Sequence, residues 1–306
     1  MLQMGPLFER IFFKNEESTK LYEQLAPMFK ADFEEVTPET VYKEGKPEAR
    51  KIFNQLLRPI VLEKSRIIHP EYLKELYDLS QQGKACLLLP EHYGNFDLSN
   101  ICYLTDNDPQ IGEAFANSLV AVAGAKLSLD NASIATFAQI YNRVVIFPSR
   151  GIESITDEKK REEERKKTLP INLASIKEIT RRKYQNQMFL VFPSGTRIRP
   201  WKEETKTGVP EIYNYLRIFE YCCLMSVNGN NLPINPDEST MTEDIPTPEH
   251  IYLGVSPVMR TEDLIRECSE NMPVDIDHKA YIVTNMMKRL FVLHEETEAI
   301  RTKEIS

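Results

Sequence analysis

A histidine and an aspartate lie five positions apart within the first third of the chain, as His92 and Asp97. On a continuous helix, this spacing would turn the two side chains about 140° away from each other. Gly94 and Asn95 lie between them and favour a turn, which would let the two side chains meet. A histidine that is oriented by a carboxylate is a general base for an alcohol near neutral pH. Such a pair also arises readily by chance, so the spacing alone is a weak signal.

Two arginines follow a second apolar segment, in the stretch FPSGTRIR at residues 192–199. Arg197 and Arg199 are separated by one residue after a Pro-Ser-Gly turn, which suits a rigid fork for a phosphate group. Gly195 lets the backbone approach a ligand closely, and its N–H is a candidate donor to a developing oxyanion. The alternative interpretation is a surface turn that carries two solvated arginines.

A further basic residue, Arg150, follows the apolar run VVIF at residues 144–147. Taken alone, it would be interpreted as a surface arginine. Each of the three segments, however, comes directly after a predicted strand. Because the carboxyl ends of parallel strands meet at one edge of a sheet, we expect the His–Asp pair and the arginines to lie close together. A cationic pocket beside a general base suits an acceptor alcohol that carries a phosphate.

Short apolar runs alternate with helical patterns from residue 84 onward. The predicted strands are residues 84–90, 119–123, 143–148, 187–192, 223–228 and 250–257. The predicted helices are residues 96–104, 131–142, 169–184, 209–221 and 279–300. This alternation predicts an α/β fold with a mixed, mostly parallel sheet flanked by helices.

The first eighty residues show helical spacing and no convincing strand pattern, as in Leu21, Leu25 and Met28. We therefore predict a helical subdomain at residues 1–80 and an α/β domain at residues 81–306. A mixed charge run at residues 157–167 is predicted to be a solvated helix face or a mobile loop. Residues 228–248 are rich in Asn, Pro, Asp and Thr and are predicted to form a long surface loop.

The composition argues against several classes of protein. A formal net charge of −8 is unlike the broad positive surface of a nucleic-acid-binding protein. The chain has 5 cysteines without a C-x-x-C spacing, which predicts free thiols in a reducing compartment rather than disulfides or a zinc site. We find no signal-peptide pattern and no run of about 18 apolar residues. The expectation is therefore a cytoplasmic protein.

The three segments together resemble those of the glycerolipid acyltransferases. His92 and Asp97 match the H-x-x-x-x-D signature of that family. Residues 192–197 (FPSGTR) look like its F-P-E-G-T-R block, and residues 143–150 (RVVIFPSR) look like its intervening arginine block. Order and spacing agree across roughly residues 85–230. Within the family, the segment PSGTRIRP is more similar to the soluble, plastid-type glycerol-3-phosphate acyltransferases.

The resemblance implies a glycerol-3-phosphate O-acyltransferase, which catalyses the first step of phospholipid synthesis. A fatty acyl group would pass from acyl-CoA or acyl carrier protein to the sn-1 hydroxyl of glycerol-3-phosphate, with no metal or other cofactor. His92 would be the base and Asp97 its orienting partner, with Gly195 near the reacting carbonyl. Three arginines would bind the acceptor phosphate, namely Arg150, Arg197 and Arg199. Lys126 lies near another basic position of the family, with a looser match.

The chain also departs from the family pattern. Ser194 replaces the glutamate of the commoner block, and Glu91 stands where asparagine often precedes the histidine. The acceptor therefore remains open between glycerol-3-phosphate and a lysophospholipid, 1-acyl-glycerol-3-phosphate. The second acceptor would call for peripheral membrane contact, for which the apolar residues between positions 2 and 13 are a candidate. A non-catalytic lipid-phosphate-binding protein and a thioester hydrolase are further alternatives.

Overall fold

The protein is described by a computed structural model that covers residues 16–29, 35–125, 138–234, 244 and 246–306. Its α-helices are α1 (Glu16–Leu25), α2 (Pro47–Leu57), α3 (Pro70–Gln81), α4 (Asp97–Asn107), α5 (Glu113–Ser118), α6 (Ser149–Glu153), α7 (Glu158–Arg182), α8 (Ile212–Ile218), α9 (Thr261–Cys268) and α10 (His278–Ile305). Its strands are β1 (Tyr42–Lys43), β2 (Arg66–Ile68), β3 (Cys86–Pro90), β4 (Leu119–Gly124), β5 (Asn142–Ile146), β6 (Met188–Leu190), β7 (Tyr221–Asn228), β8 (Tyr252–Val255) and β9 (Met259–Arg260). Two single-turn 3-10 helices are Ala26–Met28 and Glu203–Thr205.

The predicted α/β class, with a mostly parallel sheet flanked by helices, is confirmed. Parallel pairs join β4 to β5, β3 to both β6 and β7, and β2 to β8. Antiparallel pairs join β1 to β5, and β7 to both β8 and β9. All five residues of β3 are buried. This explains its continuous apolar sequence, because strands of parallel sheets are covered on both faces.

The first compact unit comprises Met1–Leu56 and Leu119–Arg182. In it, β5 lies between β1 and β4, and the long helix α7 packs on β5. Val145 and Ile171 belong to its apolar core, and the Ser175 hydroxyl donates to the Val145 carbonyl oxygen at 2.6 Å. This bond links the middle of α7 to β5.

The second compact unit comprises Leu57–Ser118 and Lys183–Ser306. Its strands lie in the order β6, β3, β7, β8 and β2, with β9 paired to β7. Helix α10 packs on β7 and β8, and its residues Met286 and Leu290 are fully buried. The hydroxyl groups of Ser226 and Thr297 lie 3.0 Å apart where α10 crosses β7. This unit contains both the His92 and the Arg197 segments, so the candidate site is built on β3 and its neighbours.

The structure corrects the predicted helical subdomain at residues 1–80. This region contains the short strands β1 and β2 besides its helices, and the compact units do not divide the chain at residue 80. Strand β1 pairs with β5, and β2 pairs with β8, so strand pairing ties parts of this region to distant sequence. Elements of two or three residues are too short to show a two-residue apolar period, which explains why the sequence did not reveal them.

The six strands predicted after residue 84 are all present, within a few residues of their expected ends. Residues 158–167 of the charge run lie in α7, which continues through Pro170 without a break. Most of the helix predicted at residues 131–142 lies outside the described residues. The described part of the loop predicted at residues 228–248 contains neither helix nor strand after β7 ends at Asn228. Among the described residues, no helix is long and apolar enough to cross a membrane.

Candidate functional site

A tight turn between β3 and α4 brings the predicted histidine and aspartate together. Asp97 is the first residue of α4, and its Oδ2 accepts a hydrogen bond from His92 Nδ1 at 2.9 Å. The same oxygen accepts the backbone N–H groups of Tyr93 at 2.6 Å and of Gly94 at 2.9 Å. The Asp97 side chain is 3% exposed, whereas the His92 side chain is 20% exposed. The carboxylate is thus buried inside the turn, and the imidazole reaches solvent.

These contacts determine which ring nitrogen of His92 is available for chemistry. Asp97 Oδ2 is an acceptor for two backbone N–H groups, so His92 Nδ1 meets it as a donor. In the neutral ring, Nε2 then carries the free lone pair. A histidine held in this way can take a proton from a hydroxyl group at Nε2.

Gly94 lies at a position in the turn where neighbouring atoms leave little space for a side chain. A Cβ atom at this position would lie 2.9 Å from Asn230 Oδ1 and 3.2 Å from the Leu232 carbonyl oxygen. A side chain here would force Asn230 or the Leu232 backbone to shift, so glycine fits against this neighbouring loop without rearrangement. The predicted break in the helical path between His92 and Asp97 is therefore observed.

The loop that follows β6 contacts His92 directly. The ring of Phe192 stacks on the His92 imidazole, with ring centroids 4.1 Å apart and planes 20° apart. The backbone N–H of Ile198 donates to the His92 carbonyl oxygen at 2.6 Å. The two segments that the sequence singled out after β3 and β6 therefore meet.

Gly195 lies at the tip of this loop in the left-handed region, with a φ of 63°. Its backbone N–H donates to the Phe192 carbonyl oxygen at 3.0 Å, and the Ser194 hydroxyl donates to the Thr196 carbonyl oxygen at 2.6 Å. The N–H group that the sequence assigned to an oxyanion is therefore engaged in the turn itself. To stabilise an oxyanion, the Gly195 N–H would have to donate to the oxyanion and to the Phe192 carbonyl oxygen at the same time.

Arg197 forms a buried ion pair that the sequence did not reveal. Its Nη1 binds Asp244 Oδ2, and both side chains are almost fully buried. The same carboxylate oxygen accepts a hydrogen bond from Asn95 Nδ2 at 3.1 Å. Asp244 therefore links the turn of His92 to the arginine loop. It also neutralises much of the positive charge that we had assigned to a phosphate.

Arg199 is more accessible than Arg197. Its side chain is half-buried, and its Nη1 donates to the Arg197 carbonyl oxygen at 3.3 Å. Its backbone N–H donates to Thr205 Oγ1 at 2.8 Å, which fixes the loop rather than the guanidinium. Arg199 is thus the arginine of this loop with the greater capacity for a ligand.

The third predicted arginine lies in the first compact unit. Arg150 is exposed in the first turn of α6, directly after β5 and Pro148. Its proximity to the His–Asp pair stays a prediction from the sequence. Lys126, the looser family match, lies outside the described residues.

A second histidine–carboxylate pair lies directly beside the first. Glu91 is 1% exposed, and its Oε2 accepts hydrogen bonds from His294 Nδ1 at 2.7 Å and from the Val227 N–H at 2.9 Å. Its Oε1 accepts the Tyr93 hydroxyl at 3.2 Å. Tyr93 therefore contacts both carboxylates, one through its backbone N–H and one through its hydroxyl.

Burial and pairing shift the acid–base behaviour of this second pair. Burial raises the pKa of Glu91, although its hydrogen bonds with His294 and Val227 act in the opposite direction. Burial lowers the pKa of His294, but the hydrogen bond and the charge of Glu91 outweigh it, so the pKa is raised overall. In the sequence, Glu91 stands out only as a departure from the family pattern, and no local pattern connects it with a histidine 203 positions later.

The five cysteines are all free, as predicted, and all five are buried. Burial raises the pKa of Cys86 and of Cys222 to about 12. Thiols that hold their protons so firmly are poor nucleophiles near neutral pH. They act as small apolar side chains of the core.

No protein-family model and no curated protein matches this chain. The resemblance to the glycerolipid acyltransferases therefore depends on the motifs quoted from the sequence. The geometry of His92, Asp97 and the arginine loop supplies independent support for a site at this position.

Proposed function

We propose that the chain is an acyltransferase that moves a fatty acyl group from acyl-CoA or acyl carrier protein to the sn-1 hydroxyl of glycerol-3-phosphate. The observation that supports this most directly is the Asp97 carboxylate, which accepts both the His92 ring N–H and two backbone N–H groups. It orients a partly exposed imidazole whose other nitrogen is a base. A binding protein has no need of an oriented base.

In the proposed reaction, His92 Nε2 takes the proton of the acceptor hydroxyl as its oxygen attacks the thioester carbonyl. A C–O bond forms, and the C–S bond then breaks. The leaving thiolate takes the proton from the imidazolium, which returns His92 to its neutral form. Asp97 stabilises the transient imidazolium and holds the ring in the reactive tautomer.

The acceptor phosphate would be bound by arginines near this base. Arg199 is our first candidate, because its guanidinium is only half-buried and its loop contacts the His92 backbone. Arg197 would contribute donors that are not used by Asp244, since a guanidinium has five N–H groups. The assignment of Arg150 to the acceptor phosphate is implied by the family resemblance alone.

The proposal is tested by giving the purified chain a labelled acyl-CoA or acyl carrier protein together with glycerol-3-phosphate. Parallel reactions contain 1-acyl-glycerol-3-phosphate or water as the acceptor. We expect acylated glycerol-3-phosphate as the main product. Acylation of the lysophospholipid alone would reassign the acceptor, and release of free fatty acid alone would indicate a hydrolase. If neither acceptor is acylated, the proposed activity is excluded.

The base is tested with His92→Ala, which removes the imidazole without filling its place. We expect the rate of transfer to fall by about 10²-fold to 10⁴-fold, which is the usual contribution of a general base. His69→Ala is the matched control, because His69 is an exposed histidine outside the site and its loss should leave the rate unchanged. Full transfer by the His92 variant would show that another group is the base. Binding of the acceptor without any turnover by the unaltered chain would favour the lipid-phosphate-binding alternative.

A further inference from the structure

Helix α7 presents three aliphatic side chains to solvent. Leu169, Leu173 and Ile176 are 59%, 58% and 54% exposed, respectively. Their spacing of four and then three residues places them on one face of the helix, which we call the aliphatic stripe. The opposite face is buried in the first compact unit through Thr168, Ile171, Ser175 and Ile179. Because the buried face already anchors the helix, the aliphatic stripe is not needed for its packing.

In the described part of the first unit, the only exposed large hydrophobic residues are the three of the aliphatic stripe. The five others of this kind that the structure describes all belong to the second unit, at Tyr184, Trp201, Val274, Ile276 and Val292. Single exposed apolar residues are normal on protein surfaces, but a contiguous set on one helix face marks an interaction surface.

Basic side chains flank the aliphatic stripe. Arg165 lies one turn before it at one border, whereas Lys166 and Lys177 lie along the other border, and all three are exposed. Helix α7 contains nine basic and five acidic residues and thus has a net charge of +4, whereas the whole chain has a net charge of −8. Four of the five glutamates precede the stripe, and the fifth, Glu178, pairs with arginines at the end of the helix.

We propose that the aliphatic stripe of α7 and its flanking cations bind the surface of an anionic phospholipid membrane. Leucine and isoleucine side chains would enter the border between headgroups and acyl chains, and lysine and arginine would contact the lipid phosphates. A helix with charges along its whole length lies in the plane of the interface rather than across it. Charge complementarity selects the occupant, since a cationic helix on an acidic protein favours an anionic surface. This inference concerns binding alone and goes beyond the proposed transfer reaction.

The binding is tested by sedimentation of the full chain with phospholipid vesicles. One set contains phosphatidylcholine with about 30% phosphatidylglycerol, which gives an anionic surface, and the other contains phosphatidylcholine alone. We expect the chain to bind the anionic vesicles at least tenfold more tightly. Salt at about 0.5 M should weaken this binding, because it screens the attraction of the lysines and arginines.

The contribution of the stripe is tested with a triple variant, Leu169→Gln, Leu173→Gln and Ile176→Gln. We expect its binding to anionic vesicles to fall at least tenfold. The matched control carries Val274→Gln and Val292→Gln, which replace exposed apolar residues elsewhere, and it should bind like the unaltered chain. A second variant, Lys166→Glu with Lys177→Glu, should lose binding to anionic vesicles while its aliphatic stripe is intact.

Several outcomes would overturn the membrane proposal. These are absence of binding to either vesicle type, undiminished binding by the triple variant, or a stripe-dependent complex with an acidic carrier protein in place of lipid. Undiminished binding would assign the membrane contact elsewhere, for example to the apolar segment between residues 2 and 13, which lies outside the described residues. Transfer measured without vesicles should be the same in the triple variant and the unaltered chain. If neither the unaltered chain nor the triple variant transfers an acyl group, the proposed activity is refuted. The result on membrane binding would still stand.

Discussion

Asp97 combines two tasks in one carboxylate oxygen. Its Oδ2 holds the backbone of the turn through the N–H groups of Tyr93 and Gly94, and it orients the ring of His92. The two backbone bonds hold the carboxylate in place independently of the ring of His92. A buried acceptor with three donors leaves little freedom for a different side chain. We therefore expect that Asp97 tolerates even a small change of its side chain poorly.

Replacing Asp97 by asparagine tests this role with almost no change in shape. We expect Asp97→Asn to lower kcat for acyl transfer by about 10³-fold or more, because the amide neither stabilises the imidazolium nor enforces the reactive tautomer. The KM values should change little, since Asp97 is not proposed to contact the acceptor. Steady-state kinetics with both substrates measure the two constants.

The control for this variant is Asp78→Asn on α3, where the side chain is half-exposed and pairs with Lys74 rather than with a residue of the turn. It should keep normal kinetics. An unchanged kcat in the Asp97 variant would show that the charge of this carboxylate does not support the base.

At the level of elements, two loops and one long connection meet at the candidate site. The turn after β3 and the loop after β6 meet through the Phe192 ring and the Ile198 N–H. Asp244 lies in the connection between β7 and β8 and bonds to Asn95 and Arg197, one residue in each loop. A single carboxylate from a third segment therefore stabilises the contact between the other two.

This arrangement separates the expected effects of the two arginines. Arg197→Gln would leave Asp244 buried without its ionic partner, which costs about 3–5 kcal/mol of unfolding free energy. Arg199→Gln should leave stability nearly unchanged and raise the KM for glycerol-3-phosphate about tenfold or more, because a charge-assisted contact is lost. Thermal unfolding and steady-state kinetics of both variants distinguish the two roles.

A double variant, Arg197→Gln with Asp244→Asn, is the control for the buried pair. Removing both charges should recover part of the stability that Arg197→Gln loses. Equal KM values for Arg199→Gln and the unaltered chain would remove Arg199 from the phosphate site.

At the level of the whole molecule, the Glu91–His294 pair connects the central strand region with the last helix. Glu91 follows β3, and His294 lies in the middle of α10, so their bond joins parts of the chain 203 residues apart. Glu298 and Glu295, also on α10, raise the pKa of His294 further. Folding thus raises the proton affinity of both members of the pair.

The raised pKa values predict a loss of stability at alkaline pH. The folded state holds a proton on His294 that the unfolded state releases near the ordinary pKa of 6.5. The stabilisation is complete below that pH and is lost as the pH rises through the folded pKa. It amounts to about 1.4 kcal/mol for each unit by which the pKa is raised. The raised pKa of Glu91 acts in the same direction, beginning above its ordinary value of 4.5.

Urea unfolding between about pH 6 and pH 8.5 measures this dependence. We expect the free energy of unfolding to fall with pH in the unaltered chain and to fall less steeply in His294→Gln. His69→Gln, which replaces an exposed histidine, should retain the slope of the unaltered chain. Parallel slopes in the unaltered chain and the His294 variant would contradict a role of this pair in the pH dependence.

The α/β class, six of the strands and the turn that joins His92 to Asp97 could all be predicted from the sequence. Each of these depends on local information. Strands buried on both faces are continuous apolar runs, and Gly94 with Asn95 favours a turn between His92 and Asp97. The bonds within residues 92–97 close over five positions, so a short stretch of sequence contains all of their partners.

The partners of Glu91 and Arg197, and the presence of β1 and β2, could not be predicted from the sequence and are seen only in the folded chain. His294 and Asp244 lie 203 and 47 positions away from those side chains, and no residue pattern between them encodes the approach. Strands of two or three residues exist because a longer strand offers them a free edge. Contacts of this kind depend on the path of the whole chain, since burial and pairing are properties of neighbours in space.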